Sequence, residues 1–240
     1  DYEKLHHNKM ELLRTAYSNA RESMYEELED FFNSHIWLRE FSLYMTIKEK
    51  SNNRSWIFWD KELRSRNPAY IREFIKNNKD EIFFWVFTQY FFMNQWKRLK
   101  SYANKQGIQI LGDLPIYAAL DSADIWANPE YFNLDKDFLP VSIAGCPPDY
   151  FSKTGQLWGN PTYNWNQLEE WGYKWWIYRI QHSFHLFDIL RIDHFRGFES
   201  YWEVPYGSKN AINGKWVKGP GQKFFNRVEK ELGDLKIIAE

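Results

Sequence analysis

Apolar residues in the first part of the chain recur at helical spacing. Leu12, Leu13, Ala16, Tyr17, Ala20 and Met24 fall on one face, which predicts a helix over 9–33 that breaks at Asn33-Ser34. A second short helix is expected over 36–49, ending near Ser51-Asn52-Asn53. Residues 54–67 read as irregular, and Pro68 can open another short helix at its first turn. The run Ile82–Phe87, with Tyr90–Met93 after it, is followed at once by Asn94-Gln95-Trp96-Lys97-Arg98. That is too short for a bilayer span and reads as a buried helix over 80–105, stopped by Gly107.

Beyond Gly107 the pattern changes. Residues 108–112 (Ile-Gln-Ile-Leu-Gly) read as a buried strand. The segment 113–166 holds six prolines and no convincing long helix, so it reads as a long loop, and loops of that length inside a domain are usually functional. A helix over 168–186, a strand over 188–194, a Gly- and Pro-rich loop over 203–221, a helix over 222–232 and a final strand over 235–240 complete the chain. Helix and strand therefore alternate three times, which predicts parallel strands joined by crossover helices. Three strands alone close no barrel. No internal repeat or low-complexity tract is present.

Composition narrows the function classes. A net charge of -1 over 240 residues offers no basic surplus for nucleic acid and no acidic tail. The single cysteine excludes an internal disulfide framework and fits a reducing compartment, so the expected location is cytoplasmic. The start, Asp1-Tyr2-Glu3-Lys4, has no signal-peptide core and no initiator Met, and the chain is expected to be cut from something longer. Aromatic residues reach 20%, including 13 Trp. Any one Trp is best read as core, although indole and phenol faces also suit sugar rings.

The chemistry concentrates in Asp188-Ile189-Leu190-Arg191-Ile192-Asp193-His194-Phe195-Arg196-Gly197. Alternation along a strand puts Arg191 and Asp193 on one face, and a cation beside a carboxylate favours the ionised form. The expected parallel strands end in Asp113, Asp193 and Glu240, and in parallel α/β folds reactive groups sit at the carboxyl ends of strands. Converging carboxylates are the arrangement of glycoside chemistry, one attacking the anomeric carbon and another delivering a proton. Asp113 alone reads equally well as a helix N-cap or a strand-end salt bridge. His194 reads as a contact to a sugar hydroxyl, with a structural histidine as its competitor; Arg196 has a loop-capping salt bridge as its competitor. No Gly-rich phosphate loop follows a strand. His6-His7 and Cys146 lack metal-ligand partners in sequence, and His182 and His185 read as helix surface, so no metal and no cofactor is expected.

These residues and their neighbours resemble a known family. The stretches Gly112-Asp113-Leu114-Pro115-Ile116-Tyr117, Asp121–Pro129, Gly145–Ser152, Thr154–Pro161, Leu190–Phe198 and Ile237–Glu240 are similar, in order and spacing, to 4-α-glucanotransferases of glycoside hydrolase family 77. The resemblance covers 80–240 well and 1–79 loosely. It implies an α/β fold, part of an α-amylase-like (β/α)8 TIM barrel holding its middle strands, the third to fifth. Residues 1–79 would be a helical insertion, 80–240 the central portion of the barrel, and 113–166 a loop insertion. It also implies transfer of α-1,4-glucan segments between malto-oligosaccharides, with no nucleic-acid or membrane partner.

By motif, Asp193 would be the nucleophile and Glu240 the acid/base. Asp113, Arg191 and His194 would line the donor side, with Tyr117, Asn160 and Arg196 as further substrate contacts. Asp149 and Trp158 would lie over the acceptor side, with Tyr150 and Phe151 beside them. Glu240 would need a raised pKa, which burial could supply. The family's third carboxylate lies later in the barrel, so the chain is expected to be a middle fragment, inactive alone. Two rival readings stay open here: an α-amylase-type retaining hydrolase and a noncatalytic glucan-binding module. Residues 1–79, where nothing suggests chemistry, could also be a partner-binding scaffold.

Overall fold

In the computed structural model, which describes residues 1–240, helices come first and strands only after residue 110. They are α1 (Tyr2–Ala20), α2 (Tyr25–Ser34), α3 (Ile36–Lys50), α4 (Lys61–Arg64), α5 (Pro68–Asn77) and α6 (Lys79–Lys105). The single helix expected over 9–33 is two helices, parted at Arg21–Met24. The Ser23 hydroxyl donates to the Ala20 carbonyl at 3.0 Å, which takes up a helix acceptor just where the axis turns. Asn67 caps α5 by accepting from the Ala69 N–H at 3.0 Å, with Pro68 in the first turn. The run Ile82–Phe87 of α6 is buried on all sides, as its pattern required.

The chain forms two compact units, Asp1–Lys97 and Arg98–Glu240; α6 runs through the boundary, and its N-terminus lies at the 79/80 division read from the sequence. The first unit packs Tyr17, Leu28 and Leu38 around that buried run. Arg14 lies over the Phe84 ring at 3.8 Å and bonds Glu49 and Glu81 at 2.7 Å each. No helix in the chain is long and apolar enough to cross a membrane.

The second unit holds β1 (Leu111–Pro115), α7 (Ala123–Ala127), β2 (Ser142–Cys146), β3 (Gln156–Pro161), α8 (Trp165–Glu170) and α9 (Lys174–Leu186). It continues with β4 (Ile189–Asp193), β5 (Ser200–Pro205), β6 (Lys215–Lys218), α10 (Gln222–Leu232) and β7 (Ile237–Ala239). A parallel sheet runs β1-β4-β7, as the alternating pattern predicted. β1 starts three residues later than the expected 108–112, so Asp113 lies inside the strand. Pro115 can end it because β1 is an edge strand in the β1-β4-β7 order, where a missing N–H is tolerated. Helix α9 packs on β1 and β4, and α10 on α9.

Two expectations fail here. The helix read over 168–186 is broken at Trp171–Tyr173, because Gly172 and Tyr173 both take left-handed backbone, with φ of 65° and 55°. The loops read over 113–166 and 203–221 contain a second sheet, antiparallel, in the order β3-β2-β5-β6. Its strands are short and flanked by Pro and Gly. β2 is buried on both faces and shows no alternation, which hid it. Gly145 is required there: a Cβ would lie 2.1 Å from the Gln156 carbonyl oxygen on β3. The core of this unit centres on Trp126, Tyr163, Trp176, Phe198 and Phe224, all essentially without solvent exposure. Five of the tryptophans, Trp56, Trp59, Trp85, Trp126 and Trp176, are thus core residues.

Candidate active site

Register places Asp193 and Glu240 at the carboxyl ends of adjacent strands, with Asp113 two residues back in β1. Asp113 pairs with Arg191 and Pro115 with Asp193 across β1 and β4, while Ala239 pairs with Ile192 across β4 and β7. Glu240 therefore follows beside Asp193. Arg191 joins the first two acids, its Nε donating to Asp113 Oδ1 at 3.0 Å and its Nη2 to Asp193 Oδ1 at 3.1 Å. The third acid is held from the backbone: the His194 N–H donates to Glu240 Oε2 at 3.0 Å. At the opposite end of the strands, Asp188 accepts from the Ile110 N–H and from Asn104, each at 2.8 Å, and pairs with Lys100 at 3.4 Å. These contacts, the Ile110 N–H foremost, hold its carboxyl below the ordinary range and lock β1 to β4.

A cleft of about 250 Å³ opens beside Asp193. Pro115, Ile116 and Tyr117 form one wall, and Trp158, Asn160 and His194 the rest. His194 adopts left-handed backbone, φ 54°, an uncommon state for a residue with a side chain. That turn sets its ring edge-on to Trp158, 4.8 Å between centroids, with Tyr117 at 6.5 Å. His194 Nε2 is buried and has no hydrogen-bond partner in the protein. Burial is the main cause that lowers its pKa below 6.5. Tyr117 is buried against Tyr163, 5.9 Å between nearly parallel rings, and burial pushes its hydroxyl pKa up. Asn160 reaches the wall itself, donating to the Ala118 carbonyl at 2.9 Å.

Other residues singled out in the sequence lie elsewhere. The Asp149 side chain accepts from the Phe151 and Ser152 N–H groups at 2.9 and 2.6 Å, shaping its own turn. Tyr150 and Phe151 are 95% and 93% exposed, edge-on to each other at 5.6 Å, and do not line the cleft. Arg196 faces outward over the Trp216 ring at 4.0 Å, a cation–π contact in place of the salt bridge weighed for it. Trp216 on β6 escaped the sequence reading because its strand was read as loop. Pro115 and Ile116 also escaped it as wall residues, although they lie inside the Gly112–Tyr117 motif.

Glu240 differs from expectation in its electrostatics. Instead of buried with a raised pKa, it is exposed and its carboxyl is held low. The His194 backbone N–H is the leading cause, with the charge of Arg191 behind it.

Carboxylates at the tips of adjacent parallel strands, beside a small aromatic cleft, define the class of site found in α/β enzymes that act on sugars. The sequence profile of the glycoside hydrolase family 77 4-alpha-glucanotransferases matches residues 1–240, and the chain belongs to that family. The 4-alpha-glucanotransferase of Aquifex aeolicus is 49% identical over 240 residues, which is 100% of this chain and 49% of that protein. The chloroplastic/amyloplastic 4-alpha-glucanotransferase of Solanum tuberosum is 42% identical over 218 residues, 90% of this chain and 38% of that protein. The amylomaltase of Streptococcus agalactiae, solved in complex with acarbose, superposes with a TM-score of 0.96 at 42% identity, over 100% of this chain and 49% of that one. The chain thus spans about half the length of the relatives it matches.

Proposed function

We propose that residues 1–240 carry the nucleophile and the acid/base of a 4-α-glucanotransferase acting on α-1,4-linked malto-oligosaccharides. The observation that carries this is Arg191 bonded to both Asp113 and Asp193, the latter lining the cleft, with Glu240 after the neighbouring strand and held by the His194 N–H. In this reading β1, β4 and β7 are the third to fifth strands of a (β/α)8 barrel, with 1–79 a helical insertion and 113–166 a loop insertion. A single, free cysteine fits a reducing, cytoplasmic setting.

The reaction is a double displacement. Asp193 attacks the anomeric carbon, and Glu240 gives its proton to the leaving 4-oxygen. A covalent glycosyl-enzyme results. Glu240 then takes the proton from the 4-hydroxyl of an incoming glucan, whose oxygen displaces Asp193 with net retention. Retention works with the two carboxyls about 5 to 5.5 Å apart, and a sugar would enter between them. His194 Nε2, lacking a protein partner, would meet a sugar hydroxyl. Arg191 would keep Asp193 pointed at the anomeric carbon. Glu240 can act as an acid near neutral pH only when its pKa rises. Burial under substrate and under the further segments that a protein of the relatives' length carries would supply that rise.

Tyr150, Phe151 and Asp149 belong on the acceptor side in this reading, on a loop that would fold over a bound glucan and exclude water. Trp158 would stack the acceptor sugar, and Trp158→Ala should lower the ratio of transfer to glucose release. An unchanged ratio would remove that role. The deciding experiment is product analysis with maltotriose. The full-length protein should give glucose and longer glucans, Asp193→Asn should give neither, and the 240-residue chain alone should be inert. Reducing sugar without longer products would make the protein a hydrolase. A full-length protein that binds maltotriose but gives no products, with binding unchanged in Asp193→Asn, would make it a glucan-binding module.

A further inference from the structure

Three backbone carbonyls of the cleft wall are held by side chains. The Pro115 carbonyl accepts from Arg179 Nη2 at 2.8 Å. The Ile116 carbonyl accepts from the Tyr163 hydroxyl at 2.7 Å and from Arg179 Nη1 at 3.3 Å. The Ala118 carbonyl accepts from Asn160. These carbonyls lie at and just past the tip of β1, where Pro115 pairs with Asp193 in register.

We infer that Arg179 and Tyr163 are positioning residues of the cleft: they clamp the tip of β1 and, through it, set Tyr117 against the sugar site. The geometry suits the task. The guanidinium is a planar fork whose two terminal nitrogens reach two adjacent carbonyls in a fixed geometry, where an ammonium has a single nitrogen on a flexible stem. Its own plane is fixed over the Trp176 and Trp175 rings at 4.9 and 5.4 Å. Tyr163 is fully buried, its hydroxyl on the Ile116 carbonyl and its ring stacked on Tyr117. Tyr117 in turn faces Trp158 at 6.1 Å and His194 at 6.5 Å. Helix α9 is thereby coupled to the wall opposite Asp193 without touching substrate.

The kinetic consequence rests on the glucanotransferase reading. Misplacing a wall by about 1 Å can cost on the order of 100-fold in rate. In the full-length protein, Arg179→Lys should lower kcat for maltotriose transfer by roughly 10-fold or more while KM moves little. Lysine should thus fail to rescue Arg179→Ala, and Tyr163→Phe, which keeps the stacked ring, should lose less. The clamp acts through Tyr117, so adding Arg179→Lys to Tyr117→Ala should cost almost nothing more. Full additivity in that double variant, or wild-type kcat in Arg179→Lys, would overturn the inference.

Amide hydrogen exchange decides the clamp separately from the activity. In Arg179→Lys, exchange over 116–120 should quicken while 189–192 of β4 stays protected. Unchanged exchange over 116–120 would overturn the clamp whatever the enzyme does. A wild-type protein that transfers no glucose would overturn the glucanotransferase reading and leave the exchange result to decide the clamp.

Discussion

Gly112→Ala should show how tightly β1 is seated beneath the site. Gly112 lies between Leu111 and the acid Asp113 and pairs with Leu190 on β4. A Cβ there would lie 2.1 to 2.6 Å from three carbons of the Phe187 ring. Ordinary contact is about 3.5 to 4 Å, so ring or strand must yield by more than 1 Å. The Phe187 backbone is poorly placed to move. Its N–H bonds the Ser183 carbonyl at 2.9 Å, and its carbonyl accepts from Lys100 at 2.9 Å. Overpacking of this kind costs about 1–3 kcal/mol, against a gain of about 0.5–1 kcal/mol from removing a flexible glycine from a strand. The net expectation is a loss of roughly 1 kcal/mol, a fall in Tm of about 2–4 °C for a protein of this size, read by calorimetry. Trimming the obstacle tests the cause: with Phe187→Leu added, the second change should cost less than it does in the wild type, a favourable coupling of at least about 0.5 kcal/mol. A Gly112→Ala protein with unchanged or raised Tm, or a strictly additive double variant, would refute the close approach.

His194 should titrate below 6.5 by NMR. Its folded pKa is depressed, so the unfolded chain binds more protons as pH falls through 6.5, and the folded state loses stability there. His194→Gln should flatten that part of the stability–pH curve, and a midpoint above 6.5 would contradict the burial argument. Trp176→Ala should cost about 3–5 kcal/mol or abolish folding, since the indole is fully buried among Tyr163, Phe198 and Phe224. Trp176→Phe should cost less, because the indole Nε1 has no partner to lose. In the 240-residue chain Glu240 should titrate below 4.5, and a raised midpoint there would contradict the backbone contact from His194.

Periodicity revealed the parallel layer and little of the antiparallel one. The αβ alternation after Gly107 put β1, β4 and β7 in order because each is a short apolar run that follows a helix. β2 and β5 lie in Pro-rich segments, and Gly145 serves a close backbone approach that no pattern announces. The placement of Arg191, Asp193 and Glu240 on or just past neighbouring parallel strands was legible because strand alternation and the helix–strand order follow from the sequence. The pKa direction of Glu240 was not, since it depends on the His194 N–H and on exposure, which are tertiary. Nor was the clamp of Arg179 and Tyr163 on the β1 tip. Its donors come from a helix and a strand end far along the chain, and its acceptors are backbone carbonyls.

The central claim is that Asp193 forms the covalent bond and Glu240 moves the proton. Mass spectrometry of a trapped intermediate tests it most directly. The full-length Glu240→Gln protein, given an α-maltosyl fluoride whose leaving group needs no acid, should accumulate a glycosyl ester on the peptide carrying Asp193. No adduct, or one on the peptide carrying Asp113, would contradict the account.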